Sequence, residues 1–187
     1  MTTKLVVDTN SILNFSKYYY FDLHYEKIIY NNLIKFIATK IKSDEIIIID
    51  KVYDEIKTNR FTKHIKDKIK PYVKPTISIF DQVENLITKY YIKYNERFYN
   101  NNQNQFELEL RKYEQQYADL YLIAYCNFLK EKKEKPIIIT EETRSSDTKL
   151  IEKIPTICIA EKIEYQNLPY VLFNIYKNEL KFNLTIS

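Results

Sequence analysis

Three short apolar runs in this chain stop abruptly at polar or acidic residues, and that pattern restricts the fold more than any other feature. Leu5-Val6-Val7 runs into Asp8-Thr9-Asn10, Ile46-Ile47-Ile48-Ile49 into Asp50, and Ile137-Ile138-Ile139 into Thr140-Glu141-Glu142. Strands that are apolar throughout, with no polar alternation, belong to parallel sheets covered on both faces. The segments between them carry helical periodicity. In the stretch from Asp22 to Lys40, Ile28, Ile29, Leu33, Ile34, Phe36 and Ile37 form one apolar stripe. Strands alternating with helices imply right-handed crossovers and an open α/β sheet, in which ligands bind beyond the carboxyl ends of the strands.

The pattern predicts strands at about Lys4–Val7, Glu45–Ile49 and Pro136–Thr140, and a brief one near Ile163–Tyr165. It predicts a short helix over Ser11–Ser16 and longer ones over Asp22–Lys40 and Lys51 to about Thr58, the last with Asp50 as N-cap. A basic helix over Phe61–Lys70 stops at Pro71, and Pro71–Pro75 is a loop. A helix over Asp81–Tyr99, capped by Asp81, leads into the Asn- and Gln-rich turn Asn100–Gln105. Helices follow over Phe106–Tyr117 and Ala118–Glu131. After a polar loop, Glu141–Thr148, come a short helix from Lys153 through Cys158 and a last one from Pro169 to about Asn178. No repeat or boundary divides the chain, so residues 1–187 read as one domain with a helical insertion at about 81–117.

Composition excludes several chemistries. The chain has no glycine, so it has no Walker loop, no dinucleotide fingerprint and no nucleophile elbow. Tight turns are left to Asn, Asp and Pro. His24 and His64 are the only histidines, and neither has a second metal-type ligand one helical turn away, which argues against zinc sites. Cys126 and Cys158 lie in apolar surroundings and read as small core residues of a reducing compartment. No apolar run approaches the ~20 residues that span a bilayer. The start, Met-Thr-Thr-Lys, lacks a signal-peptide pattern, so a cytosolic address is expected. A formal net charge of +4 permits a polyanionic partner without requiring one.

What remains is a set of carboxylates at strand and helix ends. Asp8 follows the first strand, where the bland alternative is a turn or cap. Glu55 lies one turn into a helix, where the helix dipole favours an acid wherever it points. Asp119 opens a helix whose next seven residues are Leu, Tyr, Leu, Ile, Ala, Tyr and Cys. A carboxylate at the mouth of so apolar a helix is costly to desolvate without a compensating charge. Glu141 and Glu142 follow the third strand. Oxygen ligands gathered without His or Cys suit hard divalent cations.

In order and spacing, Leu-Val-Val-Asp8-Thr9-Asn10-Ser11, Val52-Tyr53-Asp54-Glu55-Ile56, Ala118-Asp119 with Leu122-Ile123-Ala124-Tyr125, and Ile-Ile-Ile-Thr140-Glu141-Glu142 resemble the PIN-domain nucleases over nearly the whole chain. The resemblance is to a PIN-like branch catalogued as a domain of unknown function, marked also by Lys153-Ile154-Pro155-Thr156-Ile157-Cys158. It implies a three-layer α/β/α fold and an endoribonuclease dependent on Mg²⁺ or Mn²⁺, often the toxin of a VapC-type type II toxin–antitoxin pair. Motif matching puts Asp8, Glu55, Asp119 and Glu142 in the acidic quartet, with Asn10 and Thr140 as polar support. The family's last acid is commonly Asp, so Glu141 competes with Glu142 for that position. Asp8, Asp119 and Glu142 would hold the metal. Glu55 would take a second ion or orient the attacking water. Arg60, Lys63 and Lys66 would face the RNA backbone, against the alternative of a solvated helix face. RNA is the implied substrate, a cognate antitoxin the implied partner and a homodimer the family expectation. Open alternatives are RNA maturation or phage defence with the same site, and a silent nucleic-acid-binding protein.

Overall fold

The computed structural model describes residues 2–19, 24–59, 62–92, 104, 107–108, 111, 118–143 and 153–180. The expected turn at 100–105 and helix over 106–117 therefore fall almost wholly outside the described residues, as do Arg60 and most of the loop after Thr143. Strands β1 (Thr3–Val7), β2 (Ile46–Ile47), β3 (Lys135–Ile139) and β4 (Glu164–Gln166) form one sheet in the order β2-β1-β3-β4, with every pairing parallel. β2 is shorter than its apolar run predicts. Beyond it, Ile49 bridges to Lys74 instead of to a strand of the sheet.

Eight helices accompany the sheet among the described residues: α1 (Thr9–Tyr19), α2 (His24–Lys42), α3 (Asp50–Glu55), α4 (Lys63–Ile69), α5 (Phe80–Ile87), α6 (Asp119–Glu131), α7 (Ile154–Glu161) and α8 (Leu168–Tyr170). α1, α2 and α4 cover one face, where Ile12, Phe15, Ile34, Ile41, Ile65 and Ile69 surround a small apolar cavity against Val7, Ile46 and Ile139. α6 covers the other face, packed on β1 and β3, with α5 and α7 against it. The architecture is thus α/β in three layers. Leu120 through Cys126 are all buried in α6, because that helix lies between the sheet and its neighbours. Cys126 and Cys158 are both buried free thiols, and burial pushes the Cys158 thiol up to about 12.

Several local expectations are corrected. α1 begins at Thr9 and runs longer than Ser11–Ser16, because the Asp8 carbonyl accepts the Ser11 and Ile12 N–H groups. Asp50 lies inside α3 with Ile49 as N-cap. Its carboxylate instead accepts the Thr76 hydroxyl (2.6 Å) and N–H (3.0 Å), tying down the segment after Pro75. Asp81 is likewise inside α5, with Ile79 as N-cap, and α5 passes into a π-helical turn, Thr88–Ile92. Pro71 sits within a 3₁₀ turn, Lys70–Tyr72, so the helical path tightens there before it ends. The last helix is three residues of α8 continued by a π-helical turn, Val171–Ile175.

The lack of glycine has a visible consequence. α2, α6 and α7 each close with the same pair of backbone bonds, and each leads straight into a strand. Glu45 N–H reaches Lys40 C=O and Asp44 N–H reaches Ile41 C=O; Glu134 and Lys133 repeat this on Leu129 and Lys130, and Ile163 and Lys162 on Cys158 and Ile159. This is the Schellman closure, which wants glycine at its left-handed position. Here Asp44 (φ 57°), Lys133 (φ 62°) and Lys162 (φ 54°) occupy it. Turn chemistry points to Asn, Asp and Pro, yet two of the three positions are lysines. A left-handed L-residue costs roughly 1–2 kcal/mol, while glycine loses about 0.4–1 kcal/mol more chain entropy on folding. Lys133→Gly and Lys162→Gly should therefore each raise unfolding free energy by about 0.5–1 kcal/mol. Chemical denaturation checks this, and a glycine variant no more stable than the matching alanine variant would refute the account.

Candidate functional site

The chain runs from β1 outward to β2 and then crosses to β3 on the other side of β1. The carboxyl ends of β1 and β3 are therefore the switch point of the sheet, where open α/β folds place their ligands. Register pairs Val7 with Ile139, which puts the next residues, Asp8 and Thr140, side by side. Asp8 N–H donates to Ile139 C=O at 2.9 Å, and the Thr140 hydroxyl donates to Asp8 Oδ2 at 3.0 Å. Ser11, fully buried, ties α1 to the same strand end by donating its hydroxyl to Ile139 C=O.

Asp8 is only 2% exposed. Burial pushes its carboxyl up to about 7; the Thr140 hydroxyl and a Thr9 backbone hydrogen bond oppose the rise, and the charges of Glu142 and Glu55 add to it. The site thus holds a carboxylate that its surroundings leave short of positive charge.

Glu142 and Glu141 divide two tasks. Glu142 Oε2 accepts the Ile154 N–H that opens α7, and its own N–H rests on the Thr140 hydroxyl. Glu141 Oε1 accepts the Leu168 N–H that opens α8. The charge of Glu142 is among those that raise the Asp8 carboxyl. Glu55, at the last residue of α3, accepts the Thr9 hydroxyl at 2.6 Å and the Ala118 N–H at 2.8 Å. Ala118 is the N-cap of α6, so Asp119, half-buried in the first turn, lies next to a Glu55 contact. Asp8, Thr140 and Glu142 are thus joined at one end of the sheet, and Glu55, bonded to Thr9 and Ala118, brings the first turn of α6, with Asp119, up to the same end. Asn10 is exposed on the first turn of α1.

The lysine candidates separate. Lys63 is exposed at the start of α4. Lys66 donates its ammonium to Ile56 C=O at 2.6 Å and lies 4.6 Å from the Tyr53 ring centroid, so it stabilises the end of α3. Arg60 is outside the described residues. Thr9 is a site residue that the sequence does not mark, because no local signal ties its hydroxyl to an acid 46 positions away.

The donor chemistry fits a hard cation. All the acids offer oxygen, and a cation beside Asp8 would favour its ionised form. Among the described residues no three His, Cys, Asp or Glu side chains are grouped to hold one ion together. Mg²⁺ asks for less, since it keeps several waters and takes one or two carboxylates.

A family model described as a domain of unknown function (DUF4411) matches residues 5–176. The chain belongs to that family. The match runs from β1 to the π-helical turn after α8 and takes in every acid described above. The chain matches no curated protein and no solved structure.

An isolated carboxyl held near 7 instead of near 4 costs the folded state about 4 kcal/mol once both states are ionised. The sign follows from proton binding. Below about pH 4 Asp8 is protonated folded and unfolded, with no penalty. Between about 4 and 7 the folded state holds the extra proton, so stability falls as pH rises, and above 7 the penalty is constant. Asp8→Asn should thus stabilise the protein in EDTA by an amount that grows from about pH 4 to about pH 7 and then levels off. Melting curves across that range test it; a destabilised variant at about pH 8, beyond the whole titration, would show that the ionised carboxylate is favourably held.

Proposed function

We propose that this DUF4411 chain is a ribonuclease that uses Mg²⁺ or Mn²⁺ to hydrolyse RNA phosphodiester bonds, as the toxin of a type II toxin–antitoxin pair. The observation that carries the reading is Asp8: a buried carboxyl, pushed up to about 7 at the switch point of a parallel sheet, with Glu142 and Glu55 acting on it. An acid without a catalytic or ligand role has little reason to be kept where burial and like charges oppose it. The resemblance to PIN-domain nucleases supports the same assignment at the same residues.

Of Asp8, Asp119 and Glu142, one or two would hold the ion directly and the rest through its waters, since no three acids of the described residues are grouped on one ion. The ion would stabilise negative charge on the phosphoryl oxygens and ease deprotonation of an attacking water. The chain's own groups set the frame. Thr140 fixes the Asp8 carboxyl through its hydroxyl and the Glu142 backbone through its oxygen. That single side chain holds two acids from adjacent strand ends in a constant relation. Lys63, exposed at the start of α4, is available to a phosphate, and each such contact would show as salt dependence.

Asp119→Asn removes a charge with almost no change of shape. With Mn²⁺ or Mg²⁺ and total RNA, the variant should cleave at least about 100-fold more slowly, since the ion performs the charge stabilisation. RNA binding should persist, because a negative charge facing phosphate is gone. Cells should tolerate its expression better than that of the wild type. Wild-type protein that binds RNA but cleaves none with either ion would favour a silent binder. A fully active Asp119→Asn would show that the site is misassigned.

A further inference from the structure

The acid at the end of α3 differs from the others in how it is held. Both Glu55 oxygens are taken by protein donors: Oε2 by the Thr9 hydroxyl at 2.6 Å and Oε1 by the Ala118 N–H at 2.8 Å. Those two donors belong to the starts of α1 and α6, so one carboxylate joins the ends of three helices. Ala118 is fully buried and has no side chain that can cap α6. A helix of this kind normally finds its cap in its own first turn, where a glutamate reaches back to the N-cap N–H. Here the same bond comes from a different helix, 63 positions earlier.

We propose that Glu55 is a positioning residue: it clamps the start of α6 so that Asp119 stands at the site, and it neither binds the ion nor activates water. This rests on the ribonuclease reading and changes one role within it. To turn both oxygens toward an ion beside Asp8, Glu55 must leave the buried Ala118 N–H without a partner, in a place water does not reach. Among the described residues Asp8 and Glu142 show no such conflict: Asp8 Oδ2 accepts the Thr140 hydroxyl, and Glu142 Oε2 accepts the single helix-start N–H of Ile154. Thr9 then belongs to the same clamp, and its place directly after Asp8 couples the position of Asp119 to that of Asp8 through one carboxylate.

The conservative variant separates the roles. In Glu55→Gln the amide oxygen still accepts from Ala118 N–H, and the amide N–H₂ donates to the Thr9 hydroxyl, which rotates to accept. The clamp survives and the charge is lost. Glu55→Gln should cleave RNA within about tenfold of wild type and bind Mn²⁺, titrated by electron paramagnetic resonance, with nearly unchanged affinity. Glu55→Ala should lose about 100-fold in kcat, as a misplaced Asp119 requires. In hydrogen exchange, the peptide that opens α6 should take up deuterium faster in Glu55→Ala and at the wild-type rate in Glu55→Gln. A Glu55→Gln protein that melts like wild type yet cleaves as poorly as Asp119→Asn, or loses a bound Mn²⁺, overturns the proposal. If Glu55→Ala does not fold, Glu55→Gln alone decides. Wild-type protein that cleaves no RNA refutes the ribonuclease reading and the catalytic half of this one with it, while hydrogen exchange still decides the clamp.

Discussion

The in-register pairing of β1 with β3 is the constraint from which the candidate site follows. Both strands are buried on two sides, which is why Leu5-Val6-Val7 and Ile137-Ile138-Ile139 carry no polar alternation. A slip of one residue would turn every one of those side chains to the opposite face. With the register held, the first polar residue after each strand arrives at the same level, and Asp8 meets Thr140. The position of Asp8 is therefore a by-product of the best-packed part of the molecule, and its unfavourable burial is supported by that packing.

Around this pair, the acids act on backbone N–H groups at helix starts. Glu55 holds Ala118, Glu142 holds Ile154 and Glu141 holds Leu168. Each helix start offers unpaired donors and a partial positive charge, and the N-caps of α6 and α7 give no side-chain bond of their own. Acids that look like a cluster of repelling charges are thus partly compensated by peptide dipoles. The arrangement explains how several carboxylates can lie near one sheet end in the folded chain.

The parallel sheet, the helical crossovers and the acids at the strand ends are legible in the sequence because each depends on local pattern: continuous apolar runs, 3.6-residue periodicity and the residue type that follows. The roles of Asp50 and Lys66 are not. Asp50 has the look of an N-cap, but Thr76 brings two donors to it from 26 positions away. Lys66 has the look of a solvated cation on a basic helix, yet its tip turns back to Ile56 C=O. In both cases a tertiary partner outweighs a local preference, and no spacing rule contains that partner. The choice between Glu141 and Glu142 is open in the sequence for the same reason. The helix starts that they hold lie on segments that the strand-end motif does not mention.

The glycine-free closures follow the same logic at another scale. Asp44, Lys133 and Lys162 each stand where a helix must reverse into a strand of the sheet. The backbone path there is set by the sheet order, so a side chain that disfavours the left-handed region adopts it. Each closure also fixes where the following strand begins, and for β3 that start decides which residue pairs with Val7. Strain at Lys133 is thereby linked to the meeting of Asp8 and Thr140 at the far end of the strand. A turn more than one strand length from the acids helps set their register, although it touches none of them.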